Sequence, residues 1–276
     1  MKIKLIASDL DGTFLTDTKE ISAFTRETIA HAWEKGIRFV PATGRAFSAV
    51  PPEVLSLSHE EYVITSNGAA IYSAPRKKRI YECLLREESV RTVLALTLPE
   101  DVTMEAFFDG VPYSSEENIA HPEKYGADQY SVHYVKRTRR AVKDIRAFIE
   151  EHAKGLDSIS FLSANWKKHK ALRKCLETQV PGVYMTSSVS HMLEMGNENA
   201  GKGKTLTYLR GLLGISADEA MAFGDADNDI DMLTSVKYGF AMANASDNCK
   251  EAAYAVVGNN NEDGAAKEIA QYLDME

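Results

Sequence analysis

The chain has 276 residues, of which 44% are hydrophobic and 26% are charged, so it can form one large domain or two ordinary ones with a proper core. Its net charge of -8 argues against partners such as nucleic acid or an anionic membrane. The three cysteines lie far apart without disulfide or zinc spacing, which indicates a reducing compartment. No apolar signal segment precedes the first strand and no long apolar run follows, so we expect a cytoplasmic protein.

The first predicted strand ends in two carboxylates. An apolar run from Ile3 to Ala7 leads into Asp9 and Asp11, and Gly12 follows. Ligands of α/β sheets bind at the carboxyl ends of the strands. Because charge is costly to leave unpaired there, we expect a metal or a cationic partner near these two side chains.

The next two strands also end in polar residues. After a helix that begins at Ser22 and closes at Gly36, the run from Ile37 to Ala42 leads into Thr43-Gly44-Arg45. The third strand, Tyr62 to Thr65, leads into Ser66-Asn67-Gly68. Strands that alternate with helices in this way predict a parallel sheet built from βαβ units.

The character of the chain changes near Ala74, where a basic stretch with a proline runs to Arg79. It is either a crossing between domains or a solvated surface hairpin. The middle part then reads as an α+β insert with an antiparallel sheet. We predict strands at 103–108, at 131–135, at 158–162, at 183–187 and at 192–195, a hairpin turn at Asp109-Gly110, and helices at 89–97, 139–152 and 165–178.

The βαβ pattern returns at Lys202, which starts an apolar-striped helix. Ser216 and Glu219 have capping-box spacing. The next buried strand, Ala220 to Phe223, leads into Gly224-Asp225-Ala226-Asp227-Asn228-Asp229. Short strands at 240–242 and 255–257 and a helix at 264–273 complete the chain.

Three buried strands therefore end in Asp9/Asp11, in Thr43-Gly44 and in Asp225 to Asp229. In one parallel sheet these ends point the same way and meet in a single cleft. Carboxylate oxygens without histidine or cysteine favour a hard cation, Mg²⁺ first. Lys202 offers a positive charge for an anionic phosphate.

Taken one at a time, these motifs are ordinary. Asp11-Gly12 is most often a turn, Lys202 is most often a surface lysine, and Asn67 can simply satisfy a turn. Arg45 is interpreted as structural. Their joint occurrence is what favours a site.

Together and in this order, Asp9-Leu10-Asp11-Gly12-Thr13, Thr43-Gly44-Arg45, Lys202-Gly203 and Gly224-Asp225-x-x-Asn228-Asp229 resemble the four motifs of the haloacid dehalogenase (HAD) superfamily. Asn67-Gly68-Ala69 and the segment 261–266 resemble its Cof-type hydrolases, class IIB, which carry a large α/β cap between the second and third motifs. The resemblance implies an α/β fold: a Rossmann-like parallel-sheet core at 1–82 and 191–276 with an inserted α+β cap at 83–190. Lys202 matches the family lysine better than Lys204 because glycine follows it.

The resemblance also implies roles. Asp9 would be the nucleophile and a metal ligand, and Asp11 the general acid and base that lends the metal its backbone carbonyl. Asp225 would bind Mg²⁺ directly and Asp229 through water or another ligand. The phosphoryl oxygens would be bound by the Thr43 hydroxyl, the Leu10 and Gly44 amides, Lys202 and Asn228.

The implied activity is a Mg²⁺-dependent phosphatase that forms an aspartyl-phosphate and acts on a small phosphorylated metabolite, such as a sugar phosphate or a phosphorylated cofactor. The cap would exclude water and select the leaving group. Two alternatives stay open. One is a phosphotransferase or phosphomutase with the same intermediate, and the other is a non-catalytic phospho-aspartate switch.

Overall fold

The computed structural model describes residues 2–59, 61–73 and 76–274. Its strands are β1 (Leu5–Ser8), β2 (Arg38–Pro41), β3 (Val63–Thr65), β4 (Ala70–Ser73), β5 (Lys78–Glu82), β6 (Thr103–Phe108), β7 (Val111–Ser115), β8 (Arg140–Val142), β9 (Leu156–Leu162), β10 (Val183–Thr186), β11 (Met192–Asn197), β12 (Ala220–Gly224), β13 (Tyr238–Ala241) and β14 (Ala255–Val256). Its α-helices are α1 (Ala23–Glu34), α2 (Pro52–Leu57), α3 (Glu87–Ala95), α4 (Glu116–Ala120), α5 (Gln129–Thr138), α6 (Ile145–Glu151), α7 (Trp166–Gln179), α8 (Lys202–Leu213), α9 (Ile230–Thr234), α10 (Asp247–Ala252) and α11 (Gly264–Asp274).

The chain folds as two compact units. The core unit comprises described residues within 1–44, 50–80 and 201–276, and the inserted unit comprises 45–49 and 81–200. The sequence placed the return to the core at residue 191, ten residues too early. Strand β11 pairs antiparallel with β10 and with β9, so it belongs to the sheet of the inserted unit. A short strand next to a motif carries no local signal of the sheet that it joins.

The core unit contains a five-stranded parallel sheet in the order β14-β13-β12-β1-β2. Strand β1, which lies between β12 and β2, is buried along its whole length, as its apolar run predicts. Its last residue, Ser8, lies opposite Phe223 on one neighbour and Pro41 on the other. The carboxyl ends of β1, β2 and β12 therefore lie side by side, which confirms the predicted α/β fold with a parallel core sheet.

A three-stranded sheet in the order β3-β4-β5 lies next to β2, the edge strand of the five-stranded sheet. A single parallel bridge joins Ala42 to Ile64, and the Thr43 amide donates to the Ile64 carbonyl at 2.9 Å. Of the basic stretch, Ala74 and Pro75 lie outside the described residues, whereas the rest leads into the edge strand β5, with alternating exposure. That pattern fits the surface-hairpin interpretation.

The inserted unit contains a separate six-stranded sheet in the order β10-β11-β9-β6-β7-β8. Every pairing is antiparallel except that of β7 with β8. Helices α3, α6 and α7 contribute apolar side chains, among them Val90, Ile149 and Leu176, to a core against this sheet. The predicted α+β insert is confirmed.

Two elements of the insert were predicted wrongly. The segment 131–135 is not a strand but lies in helix α5, whose first turn is capped by the Asp128 carboxylate through the Ser131 amide. The helix predicted from residue 139 starts at Ile145, after strand β8. A short run that contains β-branched and aromatic residues favours a strand only weakly, and the cap overrides it here.

No helix in the described ranges combines the length and the apolar character that crossing a membrane requires. Cys83, Cys175 and Cys249 are all free, as their spacing predicts.

Candidate active site

Asp9 and Asp225 follow the ends of the adjacent strands β1 and β12. The Asp9 amide donates to the Phe223 carbonyl at 3.0 Å, so pairing of the two strands continues into this residue. Thr13 donates its hydroxyl to Asp225 Oδ1 at 2.8 Å. Gly12 has φ +83, and a Cβ atom there would lie 2.5 Å from Asp225 Oδ2, so only glycine fits this turn. The turn thus brings the two acidic motifs together.

Lys202 is the buried cation of this site. It is the first residue of α8, its side chain is fully buried, and its Nζ donates to Asp9 Oδ1 and to Asp229 Oδ1 at 2.6 Å each. Lys204, two residues later, is exposed. The structure therefore places Lys202, as its match to the family lysine implies, beside the carboxylates.

Asp229 has both carboxylate oxygens engaged by the protein. In addition to the bond from Lys202, its Oδ2 accepts from the amides of Asp225 and Ala226 at 3.0 and 3.1 Å. Asp229 therefore fixes the loop that carries Asp225. It is a poorer candidate for direct metal binding than Asp9 or Asp225, which agrees with the water-mediated role that the family resemblance implies.

Burial and crowding of like charges disturb the ionisation of this cluster. Burial, followed by the neighbouring carboxylates of Asp229 and Asp225, raises the pKa of Asp9 well above its usual value, although Lys202 opposes the shift. Burial and Asp229 raise the pKa of Asp225 to about 7. Burial disfavours the charge of Lys202, but Asp229 and Asp9 outweigh it and raise the pKa of the ammonium above its usual value.

The donor set fits a hard divalent cation. Asp9, Asp225 and Asp229 each offer a carboxylate oxygen, and these oxygens lie within 4.8 Å of one another. Three carboxylates face one ammonium, so the cluster carries an excess of two negative charges when all are ionised. All the donors are oxygens, which is the ligand type that Mg²⁺ prefers.

The residues predicted to bind phosphate lie around the same strand ends. Leu10 and Thr43 are buried two residues after the ends of β1 and β2, and Gly44 is half-buried. Asn228 is buried in the short 3-10 turn that also carries Asp229. The structure places these residues at one edge of the core sheet, and their contacts with a phosphoryl group stay a prediction.

Asn67 contacts the site more closely than its interpretation as a simple turn residue indicates. Its Oδ1 accepts a hydrogen bond from Asn228 Nδ2 at 2.9 Å, and its amide donates to the Thr43 carbonyl at 3.1 Å. Asn228 Oδ1 has no partner among the described residues, so a buried acceptor there is open to a water or a ligand donor. Asn67 thus links two of the predicted phosphate-binding residues.

The backbone around Asn67 is strained. Ser66, Asn67 and Gly68 have φ of +50°, +52° and +89° in succession. Left-handed conformations of this kind are maintained where the surrounding structure enforces them, often at functional sites. A Cβ atom on Gly68 would lie 2.3 Å from the Gly201 carbonyl oxygen. The signal available in the sequence was the pair Asn-Gly, the two residue types that tolerate this conformation best.

Asp11 and Arg45 differ from the other motif residues. The Asp11 side chain is partly exposed and forms an ion pair with Lys19 at 2.9 Å. Arg45 belongs to the inserted unit, where its Nη1 donates to the Ala49 carbonyl and its guanidinium lies over the Tyr134 ring at 4.8 Å. The packing of Arg45 fits the structural role inferred for it.

Comparison with known proteins gives the family. The model of the haloacid dehalogenase-like hydrolases matches residues 6–269. The 5-amino-6-(5-phospho-D-ribitylamino)uracil phosphatase YwtE of Bacillus subtilis is 29% identical over 286 residues, covering 98% of each chain.

Two solved structures have the same fold. A haloacid dehalogenase-like hydrolase from B. subtilis has a TM-score of 0.83 at 26% identity over 97% of this chain and 99% of that one. The HAD subclass IIB sugar phosphatase BT4131 has a TM-score of 0.82 over 98% of each chain, and at 21% identity it supports the fold alone. The predicted enzyme class, a phosphoric monoester hydrolase, is confirmed by the family and its phosphatase relatives. The chain therefore belongs to the haloacid dehalogenase-like hydrolases, with the Cof-type class IIB fold.

Proposed function

We propose that this protein is a Mg²⁺-dependent phosphatase that hydrolyses small phosphorylated metabolites through a phosphoryl group carried on Asp9. One observation carries the proposal: a buried ammonium, Lys202, bridges Asp9, at the end of β1, and Asp229, and a third carboxylate, Asp225, lies beside them. This excess of negative charge requires a cation, and the cation and the ammonium together can hold a phosphate ester against Asp9.

Asp9 performs the first step. Lys202 holds Asp9 Oδ1, so rotation of the carboxylate is restricted and Oδ2 is left to attack phosphorus. A new bond forms between Oδ2 and phosphorus while the bond from phosphorus to the leaving oxygen breaks. Asp11 gives that oxygen a proton, so the product leaves as a neutral alcohol.

Asp11 serves again in the second step. It takes a proton from water, and the resulting hydroxide attacks the phosphorus of the aspartyl-phosphate. The bond to Asp9 Oδ2 breaks, inorganic phosphate leaves, and the carboxylate is restored. Lys202 keeps its charge throughout because its pKa is raised by two carboxylates. Its charge therefore stabilises the anionic phosphoryl group in both steps.

Asp9 and Asp225 are the residues that would hold Mg²⁺, with the Asp11 backbone carbonyl as a further ligand and Asp229 acting through a water. When bound, Mg²⁺ neutralises the carboxylate excess and polarises the phosphoryl oxygens. Thr43, the Leu10 and Gly44 amides and Asn228 would donate to the same oxygens.

The proposed substrates are small phosphate monoesters. In support, the Bacillus subtilis relative is named for a phosphorylated ribityl compound, a sugar-alcohol phosphate. We propose that the inserted unit, about 120 residues at 81–200, sets specificity by selecting the leaving group.

The test is an assay of phosphate release from 4-nitrophenyl phosphate and a panel of sugar and cofactor phosphates, with Mg²⁺ and with a chelator. We expect Mg²⁺-dependent release of phosphate in step with loss of at least one ester. An isomeric phosphate product would indicate a phosphomutase instead. Absence of turnover across the whole panel would contradict the proposed phosphatase function.

A further inference from the structure

Lys19 forms an ion pair with Asp11, the proposed acid and base. The two charged atoms, Lys19 Nζ and Asp11 Oδ1, lie 2.9 Å apart, and the side chains are 44% and 39% exposed. Pairs this exposed contribute little to stability. Stability is therefore a weak reason for this contact, and orientation of the Asp11 carboxyl group is a stronger one.

Lys19 is held in an ordered turn. It has φ +66, in the left-handed region that a lysine rarely adopts. Its amide donates to the Thr16 carbonyl at 2.8 Å, and the Thr16 amide donates to the Glu20 carbonyl at 3.0 Å. Because the turn is closed by these two bonds, the base of the Lys19 side chain has little freedom.

The turn is fastened to a distant part of the chain through Asp17. The Asp17 amide donates to Asn261 Oδ1 at 2.9 Å, and Asn261 Nδ2 donates back to Asp17 Oδ2 at 3.0 Å. Asn260 Nδ2 donates to the other carboxylate oxygen of Asp17 at 3.1 Å. Two asparagines near the C-terminus thus fix the turn that carries Lys19.

One of these asparagines, Asn260, also fixes the loop that carries Asp11, together with Asn244. Asn244 Nδ2 donates to the Gly12 carbonyl at 2.7 Å, and Asn244 Oδ1 accepts from the Asn260 amide at 3.2 Å. Asn260 Nδ2 also donates to the Leu15 carbonyl at 3.0 Å. Both members of the ion pair are therefore anchored to one cluster of amides, which sets the distance between their backbones.

We infer that Lys19 is a positioning residue for Asp11: its ammonium holds the carboxyl group in one orientation from which it serves the leaving oxygen and then the water. The inference rests on the proposed function, because Asp11 has work to do only if phosphoryl transfer occurs. Lys19 itself touches neither the phosphate nor Asp9 in this account. Its removal should then impair proton transfer and spare phosphate binding.

The experiment compares two substrates that differ in their need for an acid. 4-Nitrophenolate leaves readily without a proton, whereas phenolate leaves poorly without one. The value of kcat/KM covers the transfer of the phosphoryl group to Asp9, which is the step in which the leaving oxygen is protonated. It is measured for wild type, Lys19→Met, Lys19→Arg and a control, Lys4→Met, whose partner Glu219 lies 2.6 Å away and whose exposure, 48%, is similar.

We expect Lys19→Met to lose about tenfold in kcat/KM with phenyl phosphate and at most about twofold with 4-nitrophenyl phosphate. The tenfold loss is a part of the roughly 10²–10⁴-fold acceleration that a general acid supplies. Inhibition by inorganic phosphate should not change. Lys19→Arg should recover to within about twofold of wild type on both esters, and Lys4→Met should match wild type.

Equal losses on the two esters, no loss on either, or faster turnover of phenyl phosphate by Lys19→Met would each overturn the inference while leaving the proposed function intact. If wild type hydrolyses neither ester nor any other in the panel, the proposed function fails and the inference fails with it.

Discussion

The two units of this protein each bury an ionic cluster, and the clusters are built differently. In the core unit, Lys202 donates to Asp9 and Asp229 at 2.6 Å each. In the inserted unit, Arg139 donates to both oxygens of Glu105, from Nε to Oε1 at 3.1 Å and from Nη2 to Oε2 at 2.8 Å, with side chains that are 5% and 0% exposed.

The clusters differ in charge balance. Arg139 and Glu105 neutralise each other, Asn118 Nδ2 adds a hydrogen bond to Glu105 Oε1 at 3.1 Å, and the guanidinium lies over the rings of Tyr134 and Phe107. The core cluster instead has three carboxylates for one ammonium. A balanced buried pair is complete by itself, whereas an excess of buried charge calls for a ligand of opposite sign. Charge imbalance thus distinguishes the candidate active site from a structural ion pair.

The largest effect should come from Asp9→Asn, which removes the attacking oxygen. We expect turnover of 4-nitrophenyl phosphate to fall by at least about 10⁴-fold, below detection in a routine assay. Circular dichroism should show a folded protein. If Asp9→Asn kept more than a few per cent of wild-type turnover, Asp9 would not be the nucleophile.

A substitution in the ionic cluster of the inserted unit should change the stability of the protein. Glu105→Gln leaves the Arg139 charge buried without its partner and should lower the free energy of unfolding by about 3 kcal/mol, measured by denaturant titration. The control is Glu87→Gln, whose exposed partner is Arg91, and it should leave the midpoint unchanged. A Glu105→Gln protein as stable as wild type would mean that the pair is not needed for the fold.

Metal binding should separate the clusters as well. Mg²⁺ at 100 times its dissociation constant should raise the unfolding free energy of wild type by about 2.7 kcal/mol, seen as a higher midpoint in thermal unfolding. Glu105→Gln should gain the same increment from its lower baseline. Asp225→Asn should gain little, because it has lost a ligand and part of the charge excess. An equal gain by Asp225→Asn would show that Mg²⁺ acts elsewhere.

The smallest effect concerns a neutral contact beside the core cluster. Asn67→Gly tolerates the left-handed backbone but removes the amide that holds Asn228, so kcat/KM should fall about tenfold, corresponding to the loss of one buried hydrogen bond. The control is His59→Gly, a left-handed residue on the surface of the same unit. Equal activity of Asn67→Gly and wild type would mean that Asn67 only shapes the turn and that its bond to Asn228 does not support catalysis.

The parallel core and the acidic cluster could be predicted from the sequence because the evidence is local. Buried strands are apolar runs, and the polar residues directly after them must meet at one edge of the sheet. Asp9, Lys202, Asp225 and Asp229 all lie at such ends or at a helix start, and the structure brings them together.

Other features depend on partners far along the chain. Asn67 and Asn228 are 161 positions apart in the sequence, and Asp17 and Asn261 are 244 positions apart. No local sequence pattern near these residues predicts either contact. The same limit explains the misplaced boundary at residue 191, since β11 is assigned by its pairing with β10 and β9. The strand prediction at 131–135 was wrong for another reason: the helix cap at Asp128 overrides the strand-like composition of this segment.

The most direct test of the central claim is to trap the phosphorylated enzyme. Wild-type protein is mixed with 4-nitrophenyl phosphate and Mg²⁺, quenched in acid, reduced with borohydride, which converts an aspartyl-phosphate to homoserine, and mapped by mass spectrometry. We expect homoserine at position 9 and none at position 11 of the wild-type protein, and no homoserine in Asp9→Asn. Homoserine at another aspartate, or steady turnover with none at position 9, would contradict it.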